Sequence, residues 1–302
     1  MLNSEHMLTL AREQLKVLNY ALRGRKGSGD NHVVFLSGVP RSGTNMVMEL
    51  LEHSPDAKVF HERDPRAYET FNLRDDETVK RLAKSLLPCV IFKALSEADR
   101  LTELTGYFPH SSIIWVYRQY EAVNASNMVH WPGSKNGLDK IVVDRTAADW
   151  RGKGMTDETW ELIKKYYHPN MNVESAQALF WYYRNQLFFD QHLDRDPRVL
   201  VLRYENIARD PAAELMRTAD FLGMSMPKNA TAHVSARSAE RKPKLDIAPP
   251  IRALCDSMLA RLDEVLAQQS HASRAGARVV PSQQSSTTDR HYDPRGRVST
   301  GM

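Results

Sequence analysis

Short unbroken apolar runs recur along the chain, at Val33-Val34-Phe35-Leu36, Cys89-Val90-Ile91-Phe92, Ile113-Ile114-Trp115-Val116 and Val199-Leu200-Val201-Leu202. They are too short for buried helices and rich in β-branched residues, and a run that does not alternate with polar positions reads as a strand covered on both faces. A weaker run, Lys58-Val59-Phe60, leads into the charged string His61-Glu62-Arg63-Asp64. Between these runs the apolar residues fall three and four apart, as on one face of a helix. That period marks helices over residues 3–24, 45–51, 76–87, 97–105, 176–193 and 250–266, with others following Arg118 and Asn206. Strands alternating with helices predict an α/β fold, a P-loop-like central parallel sheet flanked by helices.

A single α/β domain accounts for residues 1–267. From 131 to 175 strand character is lost, and Trp131, Trp150, Trp160, Tyr166 and Tyr167 stand among charges and glycines. The stretch reads as a helical insertion, either a lid over the crevice of the sheet or a solvated excursion with aromatic anchors. Beyond Gln268 the composition turns to Ser, Gln, Arg, Gly and Pro, which predicts a disordered tail over 268–302.

The first apolar run is followed at once by Ser37-Gly38-Val39-Pro40-Arg41-Ser42-Gly43-Thr44 and then by a helical segment from Asn45. Strand, glycine loop and helix N-terminus together make a cradle for an anion, because backbone N–H groups converge where the helix dipole is positive. Gly38 and Gly43 have the spacing of a Walker A loop, but Thr44-Asn45 replaces its Lys and hydroxyl residue, and the cation is Arg41 inside the loop. A later strand ends in Arg118, and Ser126 falls two helical turns into the segment beyond it. The two can converge on one phosphate, the arginine by a forked ionic contact and the serine by its hydroxyl. Lys93 repeats the pattern of a buried run that delivers one cation at its C-terminal end.

PRSGT after a first strand, with Arg118 and Ser126 at this spacing after a later one, resembles the sulfotransferases that use 3′-phosphoadenosine 5′-phosphosulfate (PAPS). The string LRYENIARDP followed by FLG resembles the same family, and the likeness spans about residues 32–130 and 198–245. It implies that Arg41, Ser42, Gly43, Thr44 and Asn45 bind the 5′-phosphosulfate and that Arg118 and Ser126 bind the 3′-phosphate. Arg41 and Lys93 would carry the catalytic charge. Glu62 matches the place of the base in tyrosylprotein sulfotransferases, with His61 its rival because small-molecule members use a histidine. Tyr204 matches a tyrosine near the adenine, and Arg237, Arg241 and Lys242, ahead of Pro243, resemble a segment that closes over the 3′-phosphate. One departure is His130, which stands where the tyrosylprotein branch has a second arginine. The resemblance implies PAPS as co-substrate with no metal, and an acceptor hydroxyl or amine on a small molecule, sugar or peptide tyrosine.

Composition narrows this picture. With 302 residues, 42% of them apolar, the chain can bury a sizeable core. Its 41 basic and 37 acidic residues leave a net charge of only +4, so no nucleic acid or other polyanion is implied as partner. Two cysteines, Cys89 and Cys255, suggest neither a disulfide framework nor a metal site. The N-terminal helix is amphipathic and no run approaches the roughly 20 apolar residues that span a bilayer, so a soluble cytoplasmic protein is expected. Two other readings stay open from the residues. One is a P-loop kinase or NTPase, disfavoured by Thr44. The other is a non-catalytic PAP-binding module that would tolerate changes at Glu62 and Lys93.

Overall fold

The computed structural model describes residues 4–22, 31–146, 149–232, 234 and 244–277. A first helix, α1 (Ser4–Leu22), is tied to the edge of the sheet. Its Lys16 donates to the carbonyls of Glu52 and Ala57, and its Glu13 meets Lys58 and Arg66, each at 2.9 Å.

The chain then forms β1 (His32–Gly38), buried at every position, the glycine loop, α2 (Thr44–Glu52) and β2 (Ala57–Phe60). A small antiparallel hairpin follows, β3 (Tyr68–Glu69) with β4 (Asn72–Leu73), and then α3 (Asp76–Ala83), β5 (Cys89–Lys93), α4 (Leu101–Gly106) and β6 (Ser111–Tyr117). Beyond α5 (Tyr120–His130) come α6 (Leu138–Ile141), a 3-10 turn at Asp149–Arg151 and α7 (Asp157–Tyr166). The long α8 (Val173–Asp190) leads to β7 (Val199–Arg203), α9 (Tyr204–Arg209), α10 (Pro211–Leu222) and α11 (Pro249–Ala277).

Five strands make one parallel sheet in the order β2-β5-β1-β6-β7. Alternate residues of each strand enter two separate cores. Val33 and Phe35 of β1 join Phe92, Trp115, Trp181 and Phe188 on one face, while Val34 and Leu36 join Val47, Ile91, Ile114 and Leu215 on the other. Burial on both faces is the reason the strands read as unbroken apolar runs. The expected α/β sheet flanked by helices is therefore present. From β1 the chain goes outward to β2, returns to β5 and crosses to β6 on the opposite side of β1. Loops at the C-terminal ends of β1 and β6 consequently part and leave a crevice, where open α/β sheets place their ligands.

Several boundaries differ from expectation. The helix expected over 97–105 begins at Leu101, because the Glu97 carboxylate instead accepts the backbone N–H of Leu73 at 2.7 Å. The 131–175 insertion is mostly loop with short helices, and Trp160 Nε1 donates to the Ile141 carbonyl at 2.9 Å to join two of them. Residues 268–277, expected within the tail, belong to α11, which runs on to Ala277. Gln269 accounts for the difference: its amide donates to Val199 O and accepts from Val201 N, both at 2.9 Å, and so closes the open edge of β7. The remainder of that tail, 278–302, lies outside the described residues. Among the described residues no helix is long and apolar enough to cross a membrane.

Candidate active site

The loop between β1 and α2 owes its shape to two glycines. At Gly38 (φ 143°) a Cβ would lie 2.1 Å from the carbonyl oxygen of Val116, so only glycine lets the ends of β1 and β6 stay in register while the chain turns. At Gly43 (φ 95°) a Cβ would lie 2.3 Å from the Tyr204 ring. Between them Arg41 holds a left-handed backbone, φ 71°, a conformation that non-glycine residues keep only where the surroundings enforce it. Among the described residues no side chain caps α2, which leaves its first amides to the crevice. The buried Oγ of Ser42 has no hydrogen-bond partner among the described residues.

Lys93 ends β5 with its side chain only 4% exposed. Its Nζ donates to Glu62 Oε2 at 2.5 Å and to Asn45 Oδ1 at 2.6 Å, joining β5, the chain beyond β2 and the first turn of α2. Burial lowers the lysine's pKa, and the Glu62 carboxylate offsets part of that shift. His61 faces elsewhere: its Nε2 lies 3.3 Å from Glu52 Oε2, and this hydrogen bond holds the Glu52 carboxyl below its ordinary value. Behind Lys93 the Tyr68 hydroxyl accepts the lysine's backbone N–H at 2.7 Å.

A second cluster lies at the end of β6. Arg41 Nε donates to Ser126 Oγ, and Nη2 to His130 Nε2, both at 3.0 Å. His130 Nδ1 sits 2.9 Å from the Ser126 carbonyl. A nitrogen facing a carbonyl must carry the hydrogen, which leaves Nε2 to accept from Arg41. Arg118 Nη1 donates weakly to Arg41 O at 3.4 Å, and its guanidinium stacks 4.0 Å over the Tyr204 ring. Burial, and then the charge of Arg118, lower the Arg41 pKa. Two guanidinium groups near enough for one to lower the other's pKa favour an anion beside them.

The family model described as a sulfotransferase domain matches residues 31–245. This chain belongs to the sulfotransferase family. Its fold is similar to that of a sulfotransferase from Alicyclobacillus acidocaldarius, at 16% identity over 78% of this chain and 95% of that one, with a TM-score of 0.46. It is similar also to the sulfotransferase domain from the curacin biosynthetic pathway, at 13% identity over 78% and 99% of the two chains, TM-score 0.48. Mouse sulfotransferase SULT7A1 complexed with PAP matches at 17% identity over 81% and 80%, TM-score 0.39. No curated protein is similar enough in sequence to count as a relative.

In this sulfotransferase the residues singled out by sequence fall into two groups. Glu62, Lys93 and Asn45 form the first, and Arg41, Arg118, Ser126 and Tyr204 the second. Arg41, expected with Lys93 to carry the catalytic charge, directs its guanidinium to Ser126 and His130, while its charge still reaches Lys93 and lowers that lysine's pKa. Thr44 is buried at the start of α2, next to Gly43. Arg237, Arg241 and Lys242 lie outside the described residues. Sequence reasoning missed Tyr68 altogether, because the stretch from His61 to Leu73 carries no periodicity that singles it out.

Proposed function

We propose that this sulfotransferase takes its sulfuryl group from PAPS and passes it to an acceptor hydroxyl beside the Lys93–Glu62 pair. The buried unpartnered Ser42 hydroxyl, the uncapped α2 and the adjoining Arg41 and Arg118 suit a nucleotide with an anionic group at each end. PAPS supplies a sulfuryl group already activated by its bond to the 5′-phosphate. The first amides of α2, with Ser42, Gly43, Thr44 and Asn45, would hold that phosphate. Arg118 and Ser126 would grip the 3′-phosphate, with Arg41 shared between them, and Tyr204 would pack by the adenine.

Lys93 would donate to the oxygen on which charge develops as the S–O bond to phosphate breaks. Glu62 would take the acceptor's proton as the new O–S bond forms, so the proton ends on the carboxylate and PAP leaves as the anion. The observation that carries this reading is Lys93 Nζ, bonded at once to Glu62 and to Asn45 of the donor helix. His61, engaged with Glu52, is the weaker choice of base.

Calorimetry with PAP, and incubation of radiolabelled PAPS with phenols, sugars and tyrosine peptides, test the reading. Glu62→Gln should bind PAP as the wild type does and lose most turnover. Arg118→Ala should weaken PAP about 10-fold or more, as expected for a charge-assisted contact. Wild-type binding and turnover in both variants would overturn the assignment.

A further inference from the structure

We propose that Tyr68 is the positioning residue that sets the contact between Glu62 and Lys93, an inference that rests on reading those two as the catalytic pair. The parallel ladder between β2 and β5 ends with Phe60 opposite Phe92. One rung further, a continuing β2 would have had to pair with Lys93, and Glu62 would have been carried along the sheet. The chain leaves the ladder instead. Hydrogen bonds from Asp64 N to His61 O at 2.8 Å and from Tyr68 N to Asp64 O at 3.0 Å fold it into a strap that brings Tyr68 back inward.

The phenol then occupies the missing rung. Its oxygen accepts Lys93 N–H at 2.7 Å and lies 3.0 Å from Phe60 O and 2.9 Å from Lys93 O, so its single hydrogen serves these two carbonyls. One hydroxyl thus holds the backbone of Lys93 and the backbone two residues before Glu62. The side chain is buried, and burial followed by the charge of Glu97 pushes the phenol pKa well above its ordinary value. Tyr68 therefore stays protonated as a fixed donor and is no rival to Glu62 as base.

The strap is itself tied to the loop that follows Lys93. Leu73 N donates to Glu97 Oε1 at 2.7 Å, and Ser96 Oγ to Phe71 O at 3.2 Å. Arg66 clamps Asp64 and reaches Glu13 of α1 at 2.9 Å. The position of the phenol is consequently fixed from both sides, and through it the approach of carboxylate to ammonium.

Tyr68→Phe keeps the ring and removes only the hydroxyl. Its turnover is read with radiolabelled PAPS and 4-nitrophenol, with release of free sulfate as the acceptor-free measure, and PAP affinity is read by calorimetry. A misplaced pair should lower turnover about 10- to 100-fold. The pH–rate profile should move, and PAP affinity should not, because among the described residues the Tyr68 hydroxyl bonds to the backbone of Phe60 and Lys93 and to none of the β1–α2 loop, Arg118 or Ser126. Glu62→Gln is measured alongside. If Glu62→Gln is inactive while Tyr68→Phe keeps wild-type turnover and pH profile, Tyr68 is only structural and the proposal falls, with the catalytic pair intact. If Glu62→Gln turns over normally, the reading of the pair falls and takes the proposal with it. Should Tyr68→Phe fail to fold, Glu97→Ala frees the strap at Leu73: reduced turnover with unchanged PAP affinity supports the proposal, and unchanged turnover overturns it.

Discussion

Gly43 concentrates three demands in one residue: it sits at φ 95°, it opens α2, and it lets the Tyr204 ring press against the loop. A methyl group there would meet Tyr204 Cδ2 at 2.3 Å and would force a left-handed backbone that costs an L-residue about 1–2 kcal/mol. Tyr204 would have to yield, and Arg118 is stacked upon it. Gly43→Ala is therefore expected to weaken PAP binding well beyond its effect on stability. Calorimetry with PAP beside a thermal melt checks this: a lowered Tm with normal PAP affinity would show that the ring moves without disturbing Arg118.

Among the elements, the strands of the sheet were legible because both faces are covered, so composition alone marked Val33–Leu36 and its partners. The glycine loop was legible because its backbone angles demand glycine at 38 and 43. The β3–β4 hairpin was not, since its turn puts Thr70 (φ 49°) and Phe71 (φ 66°) in the left-handed region without the glycine or asparagine that announces such turns. Tyr68 was invisible for a related reason. Its partners are backbone atoms of Phe60 and Lys93, and backbone atoms leave no mark on sequence. The end of α11 was misread because Gln269, a polar residue in a polar stretch, acts by completing the edge of β7. Gln269→Ala leaves Val201 N–H and Val199 O to the solvent at that edge. It should cost about 1 kcal/mol, read as a Tm a few degrees lower, with PAP affinity unchanged. An unaltered Tm would mean that water replaces the side chain fully.

Over the whole molecule, two buried groups pull the pH dependence of stability in opposite directions. His32, at the start of β1, stacks on His110 at 4.3 Å and bonds to Ser112 Oγ at 2.8 Å, and burial followed by His110 lowers its pKa from 6.5. A base so depressed takes its proton more readily in the unfolded chain, so its contribution is whole above about pH 6.5 and is lost as pH falls through the folded value. Glu97 does the reverse, because burial raises its carboxyl from 4.5 to about 7 despite the hydrogen bond from Leu73. Its folded form holds the proton more tightly, so its contribution is whole below about pH 4.5 and is lost as pH rises through about 7, a loss on the order of 3 kcal/mol. Between the two unfolded values the effects oppose each other, and above about pH 6.5 only Glu97 still acts. Glu97→Gln keeps an oxygen for Leu73 N–H and removes the charge. Linkage then predicts a higher Tm at about pH 8 and little change at about pH 5, to be checked by thermal melts across that range. An equal gain at both ends would trace the effect to packing, because a change that ignores pH cannot come from a proton.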